Sequence, residues 1–234
     1  MFIGHFAVAF GIKRAAPEVK LGTAMVAACF LDLVWPLLVA AGVETVKIDP
    51  GNMLLSPLDF VSYPYSHSLV MTLVWAALFV AIYRWRGGSA HGAWWLGLAV
   101  ASHWFLDLIV HRPDLPLAPG MEVRVGLGLW NSMPGTPLVE GSLFAAGLWL
   151  YLLVTRARDR IGRWGLWGLV ALLLVSYVAS LFGPPPPNVN AIVIADILGT
   201  ALSVAWGYWV ERHRDVVLRH AVPSASVTGA ARLP

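Results

Sequence analysis

Charge is what this chain has least of. Asp, Glu, Lys and Arg together make up 12% of its 234 residues, about half the fraction of an ordinary soluble domain. It has a single cysteine, Cys29, so no internal disulfide can form. No block of like charge occurs, and the formal net charge of +3 is spread over separate short loops, which argues against a nucleic-acid partner. No internal repeat, no Gly-rich phosphate-cradling loop and no Ser-His-Asp nucleophile pattern can be found, which disfavours covalent serine chemistry. The start, "MFIGHFAVAFGIKRAAP", does not read as a secretory signal, because Lys13 and Arg14 follow the apolar stretch instead of preceding it.

What is present is hydrophobicity: 58% apolar residues, 12 tryptophans and a mean hydropathy of +0.70. The expectation is an all-α integral membrane protein with no soluble module. Runs near the length of a membrane crossing predict about six transmembrane helices, at 21–43, 67–84, 94–111, 137–155, 164–182 and 189–210. The first 12 residues are apolar but too short to cross, and read as a short N-terminal re-entrant or interfacial helix. Residues 1–220 then form a single polytopic domain. Residues 221–234, small, polar and Pro-containing, read as a disordered tail.

Orientation follows from the basic residues. With both ends cytoplasmic, Lys13, Arg14, Lys20, Arg84, Arg86, Arg156, Arg158, Arg160, Arg163, Arg212, Arg214, Arg219 and Arg232 fall inside. That is 13 of the 16 Lys and Arg, and only Lys47, Arg112 and Arg124 stay outside. Six tryptophans, at 85, 94, 95, 164, 206 and 209, read as an interfacial belt. The two long outer loops, 44–66 and 112–136, are rich in Pro and Gly and are expected to be structured and functional.

Ionisable groups inside hydrocarbon need a partner or a wet cavity. At 1.5 Å per helical residue, Asp32 lies roughly 16 Å below the outer end of its span, His103 about 12 Å, Asp107 about 6 Å and Glu140 about 5 Å. His67 opens span two and His111 closes span three, both outside. A short N-terminal helix would lift His5 to about the level of Asp32. All sit in the outer half. His103, Asp107 and His111, spaced i, i+4, i+8, form one stripe on one helix face. Imidazole and carboxylate one turn apart can both ligate a divalent metal, with zinc favoured and manganese or iron admitted. Asp196, roughly 10 Å deep in span six, has no surrounding motif. His91, His213 and His220 read as solvated loop residues, and Asp159, Glu211 and Asp215 as solvated partners of nearby arginines.

Gly4-His5, an aspartate in the first span, Ser66-His67-Ser68, Ser102-His103 with Asp107, and "LPLAP" follow one another in an order that resembles a bacterial family of membrane-bound metal-dependent hydrolases, the LexA-regulated inner-membrane proteins. The resemblance carries over to His5, Asp32, His67, His103 and Asp107, and implies the bacterial inner membrane as the location. Where that family has an acidic pair around the first-span aspartate, this chain has one acid. Where the family has a further histidine before the Ser-His pair, Tyr63 and Tyr65 stand. The departures favour a one-metal over a two-metal site. A more distant likeness is to zinc-dependent phospholipase C.

The expected activity is metal-dependent hydrolysis of a lipid or lipid-linked substrate, such as a phosphodiester, at the outer leaflet. Asp32 and Glu140 are the expected catalytic carboxylates, Glu140 moving the proton. His111, Arg112 and Arg124 are the expected substrate contacts, the arginines holding a phosphate. The alternatives are an ion or small-solute transporter using the same His/Asp groups, or a structural membrane protein with an idle metal site. Against transport stand the lack of matched broken helices and the lack of polar groups in the inner half.

Overall fold

Most of the long helices begin where a side chain can accept an otherwise orphaned amide. In the computed structural model, which describes residues 1–217, Ser68 accepts from Met71 at the start of one helix and Ser89 from Gly92 at the next. Asp159 accepts from Gly162, and Asn188 from Ala191, at the last two. Each is a short polar residue at the N-cap, where such a contact contributes about 1 kcal/mol. In chain order the helices are α1 (Ile3–Ala15), α2 (Leu21–Ala28), α3 (Phe30–Ala40), α4 (Pro64–His67), α5 (Leu69–Trp85), α6 (Ala90–Val110), α7 (Gly135–Val154), α8 (Arg160–Phe182) and α9 (Val189–Glu211).

Strands lie only outside the helices, in the connections and after α9. The segment after α3 folds into an antiparallel hairpin of β1 (Thr45–Met53) and β2 (Ser56–Ser62). The segment after α6 carries a short pair, β3 (Leu115–Pro116) with β4 (Arg124–Val125), and a single 3₁₀ turn at Leu129–Asn131. At the opposite end β5 (Thr155–Ala157) pairs with β6 (Arg214–Val216). The two long loops are therefore structured, as expected.

The helices are apolar on both sides. Inside, Phe6, Phe10, Leu96, Val100, Phe144, Leu166 and Leu169 form one core, and Trp35, Phe60, Tyr63, Trp104 and Leu115 form a second beneath the β1–β2 hairpin. Outside, Leu73 and Val74 on α5, Phe105 on α6, Leu153 on α7, Val175 on α8 and Leu198 on α9 stand exposed. A helix apolar all round belongs in lipid or in a large interior, and the chain is a helical membrane protein. Four helices, α6 to α9, are long and apolar enough to cross a bilayer. The other two expected spans depart from a straight crossing. The first is broken into α2 and α3, bent by 55°, and the second, α5, has 17 residues, somewhat under the ~20 of a perpendicular crossing. The expected tail at 221–234 lies outside the described residues.

The N-terminal helix is not peripheral. Ile3, His5, Phe6, Ala9 and Phe10 of α1 are buried, chiefly against α7. The close approach depends on Gly147, where an added Cβ would stand 2.2 Å from the carbonyl oxygen of Ala7. That neighbour is backbone and cannot rotate away. Gly147→Ala is therefore expected to push α1 off α7 and to destabilise the fold by about 1–3 kcal/mol, as overpacking does. Thermal melting in detergent would check this; an unchanged Tm would contradict the seating of α1.

Lys13 counts among the basic residues expected to be cytoplasmic, and Glu211 is expected as the solvated partner of an arginine. Instead Lys13 is buried, donates to the Val19 carbonyl at 2.8 Å and pairs with Glu211, whose other oxygen accepts from the Leu21 amide at 2.6 Å. The pair ties the end of α1 and the start of α2 to the end of α9. Of the tryptophans expected in an interfacial belt, Trp85, Trp94 and Trp164 are exposed.

Candidate metal centre

The α6 stripe faces inward. Leu96, Val100, His103 and Asp107 are buried in helical rhythm on the same face. Toward its C-terminal end α6 presents His103 Nε2 and Asp107 Oδ2 3.2 Å apart. Three further elements converge on this pair. α1 contributes His5, whose Nε2 lies 3.1 Å from Asp107 Oδ1 and whose ring stacks on His103 at 3.6 Å, 6° from parallel. α3 contributes Asp32, with Oδ1 3.4 Å from His103 Nε2. α4 contributes His67, with Nε2 3.5 Å from Asp32 Oδ1 and 3.7 Å from Asp107 Oδ2. The amino group of Met1 also lies against Asp107 Oδ1.

Asp32 reaches the cluster because its helix is broken. In an unbroken α2–α3 helix the carbonyl of Ala28 would accept from the amide of Asp32. It accepts instead from His103 Nδ1, at 2.8 Å. A kink where a side chain enters the backbone ladder is a recognised cause of bending. Here the intruder is itself a member of the cluster, and Pro36 within α3 further weakens the ladder, since it lacks an amide hydrogen.

These contacts fix which ring nitrogen carries hydrogen. A carbonyl can only accept, so His103 Nδ1 is the donor and, in the neutral ring, Nε2 is the lone pair. His67 is held likewise. Ser66 donates its hydroxyl to Glu44 Oε2 at 2.6 Å, so its oxygen accepts from His67 Nδ1 at 2.8 Å. Glu44 is buried and further anchored by the amides of Tyr65 and Ser66. Carbonyl or carboxylate partners on the far ring nitrogen are the usual outer support of metal-ligating histidines. Two Nε2 lone pairs thus aim at two carboxylates, an arrangement that repels unless a cation or protons intervene. His103 Nε2 is buried without a hydrogen-bond partner.

The spacing fits a cation. Two ligands about 2.0–2.1 Å from a tetrahedral zinc stand about 3.3 Å apart, and the imidazole–carboxylate separations here run from 3.1 to 3.7 Å. Two overlapping triads, His5–His103–Asp107 and Asp32–His67–His103, each bring their donor atoms within 4.8 Å of one another. The cluster is sealed on one side and open on the other. The His5, His103 and Asp107 side chains are at most 2% exposed, whereas that of Asp32 is 33% exposed. Asp32, His67 and Asp107 line a cavity of about 500 Å³, which Glu140, Asp196, His111 and Tyr177 also line.

The remaining expected site residues separate by environment. Glu140 on α7 lies on the cavity wall. Its Oε2 accepts from the amides of Phe2, at 2.8 Å, and Gly4, at 3.4 Å, capping the start of α1, while Oε1 is buried and unpartnered. His111 lines the cavity but stands apart from the cluster, its Nδ1 3.0 Å from Asp114 Oδ1. The two arginines are not at the cavity. Arg112 is held by Asp59 Oδ1 at 2.5 Å and Asp114 Oδ2 at 3.2 Å. Arg124 donates to the Val61 carbonyl and lines a separate, smaller cavity of about 280 Å³. Arg112 is thus paired with two acids, and Arg124 borders the other cavity. Asp196, left without a motif in the sequence, does face the cavity. Among the residues expected to be solvated, His91 pairs with Glu18 at the surface, and Asp159 accepts from His213.

Sequence reasoning missed Glu44 and Asp114. Glu44 carries no motif and acts 22 residues away from Ser66. Asp114 could have been found three residues after His111, in "HRPD". Tyr63 donates to Asp114 Oδ1 at 2.9 Å. Burial, and then the Asp114 carboxylate beside it, push the Tyr63 phenol well above its ordinary range. Burial works against the charge on Asp114, yet hydrogen bonds from His111, Tyr63 and Arg112 hold its carboxyl below the ordinary range. A carboxyl depressed in the folded state contributes stability that is fully present above its unfolded value and is lost as pH falls through the folded one. Acidification below about pH 4 is therefore expected to loosen this loop, and Asp114→Asn to flatten that acid limb in a plot of Tm against pH. An identical acid limb in the variant would remove Asp114 from the account.

No family model, no curated protein and no solved structure matches this chain.

Proposed function

We propose that the protein is a membrane-embedded metal-dependent hydrolase acting on a lipid or lipid-linked substrate, as its resemblance to the bacterial membrane-bound hydrolases implies. The observation that carries the reading is the convergence of His5, Asp32, His67, His103 and Asp107, from four helices, into one group with the Nε2 lone pairs of His67 and His103 aimed at carboxylates. The donor set is imidazole and carboxylate, which suits zinc and also manganese or iron. A divalent ion held there supplies Lewis-acid polarisation and a nucleophilic water of lowered pKa.

The chain's own groups do the rest. Ser66 with Glu44, and the Ala28 carbonyl, keep two ligand rings in their orientation. Asp32 borders the open side, as a catalytic rather than a structural site requires. Glu140, a cavity-lining residue with one oxygen pinned by α1 and the other buried without a partner, is the group we assign to take or return a proton. In the membrane we read six crossings with both ends cytoplasmic, α2–α3 as one broken crossing, and α1 as a re-entrant helix within the bundle. The cluster then lies toward the outer leaflet of a bacterial inner membrane.

The test is the metal content of the purified protein by mass spectrometry. About one divalent ion per chain is expected, and its loss on chelation should lower Tm. A metal-free protein whose stability is indifferent to added zinc or manganese would overturn the reading. His91→Ala, in the surface pair with Glu18, should leave the ion in place.

A further inference from the structure

We infer that the crevice between α8 and α9 is a lateral portal that seats one hydrocarbon chain of a bilayer lipid, with the headgroup turned toward the His/Asp cluster. The inference deepens the hydrolase reading and rests on it only for what happens to the headgroup.

The two helices form an antiparallel hairpin joined through 183–188, and they do not pack along their whole length. At one end they touch. A Cβ on Gly165 would stand 3.2 Å from the Val210 side chain, one on Gly168 would stand 3.0 Å from Trp206, and Trp206 Nε1 donates to the Gly165 carbonyl. Toward the 183–188 connection the facing residues line the cavity instead. Leu173, Ser176 and Ala179 do so from α8, and Ala195, Gly199 and Leu202 from α9. Ala179, Ala195 and Gly199 are also exposed, so the cavity opens sideways between the helices. A Cβ on Gly199 would meet nothing within 4 Å.

The opening is flanked by the lipid-facing side chains Val175, Ile194 and Leu198. Its floor is the polar cluster. Glu140 and Tyr177 also line the cavity, the latter with its ring stacked against Phe2, and Glu140 Oε1 and the Tyr177 hydroxyl are both buried without partners. A buried unpartnered hydroxyl is costly unless something meets it. An occupant must therefore be amphipathic, with acceptor atoms at the Tyr177 and metal end and an apolar tail leaving between α8 and α9. A volume of about 500 Å³ is within the usual range for a ligand site. A lipid chain satisfies these demands without leaving the bilayer, whereas a soluble solute would have to enter past an apolar rim.

The test uses the full chain in phosphatidylcholine nanodiscs doped with a phospholipid bearing a photoactivatable diazirine on its acyl chain, with adducts mapped by peptide mass spectrometry. Labelling is expected to concentrate on 176–180 of α8 and 191–202 of α9, roughly ten-fold above equally exposed apolar positions such as Leu73 and Leu153, a preference of ~1.4 kcal/mol. Gly199→Phe fills the opening at a position with free space, so the fold should survive, and it should bring crevice labelling down to the level of those surface positions. Metal content is measured on the same samples. Labelling in the crevice of a metal-free protein would sustain the portal while sinking the hydrolase reading. Metal without preferential labelling would do the reverse. Uniform labelling, labelling indifferent to Gly199→Phe, or cross-links to a second copy through this face would each overturn the portal.

Discussion

Alanine in place of His103 should strip the metal and cost about 3–5 kcal/mol of stability, the range for breaking a buried charged arrangement by removing one partner. The effect is large because His103 has four relations at once. Its Nε2 faces Asp32 and Asp107, its Nδ1 holds the Ala28 carbonyl at the α2–α3 break, and its ring stacks on His5. Removing it leaves Asp107 facing Asp32 with one fewer positive or metal-bound group between them, and leaves a backbone carbonyl unpaired. Metal analysis and thermal melting of the variant, with and without added zinc, are the measurements. If the variant kept its ion, the cluster would be a hydrogen-bonded knot and not a metal site. If it lost the ion with Tm unchanged, the coupling of metal to fold would be wrong.

How far this centre was legible in the sequence differs residue by residue. The i, i+4 spacing of His103 and Asp107 needs only a straight helix, and α6 is one over Ala90–Val110. His67 was legible because Ser66-His67-Ser68 opens an apolar run. Asp32 was less so. A straight-helix rise puts it about 10 Å deeper than Asp107, yet both carboxylates reach the same His103 nitrogen. The 55° break between α2 and α3 removes the discrepancy, and its only sequence sign was Pro36. Glu44 was not legible at all, since nothing local links it to Ser66 across the β1–β2 hairpin. Arg112 looked free because charge was counted by loop; its two partners, Asp59 and Asp114, are brought to it by tertiary folding. The same is true of Lys13, whose burial follows from α9 returning Glu211 to the start of α2.

Glutamine in place of Glu140 should keep the metal and the fold while lowering turnover of a lipid-like substrate by about 10²–10⁴-fold, the contribution of a positioned general acid or base. The argument turns on the two oxygens having different duties. Oε2 accepts from the amides of Phe2 and Gly4, a task the amide oxygen of glutamine can also perform, so α1 and His5 should stay where they are. Oε1 is the buried, unpartnered oxygen of this cavity-lining residue, and an NH₂ in its place cannot take a proton. Glu140→Ala should behave differently. It removes the cap as well, and should loosen α1, displace His5 from Asp107 and cost about 1–3 kcal/mol for the two unsatisfied amides. His67→Ala should lose metal and turnover together, because its Nε2 points at both Asp32 and Asp107. Three readouts on each variant, bound metal, Tm and turnover, separate these outcomes. An empty site in Glu140→Gln would make Glu140 a ligand. Turnover equal to the parent protein would leave it as a cap for α1 alone and pass the proton to another cavity-lining group, of which His111, oriented by Asp114, is the best placed.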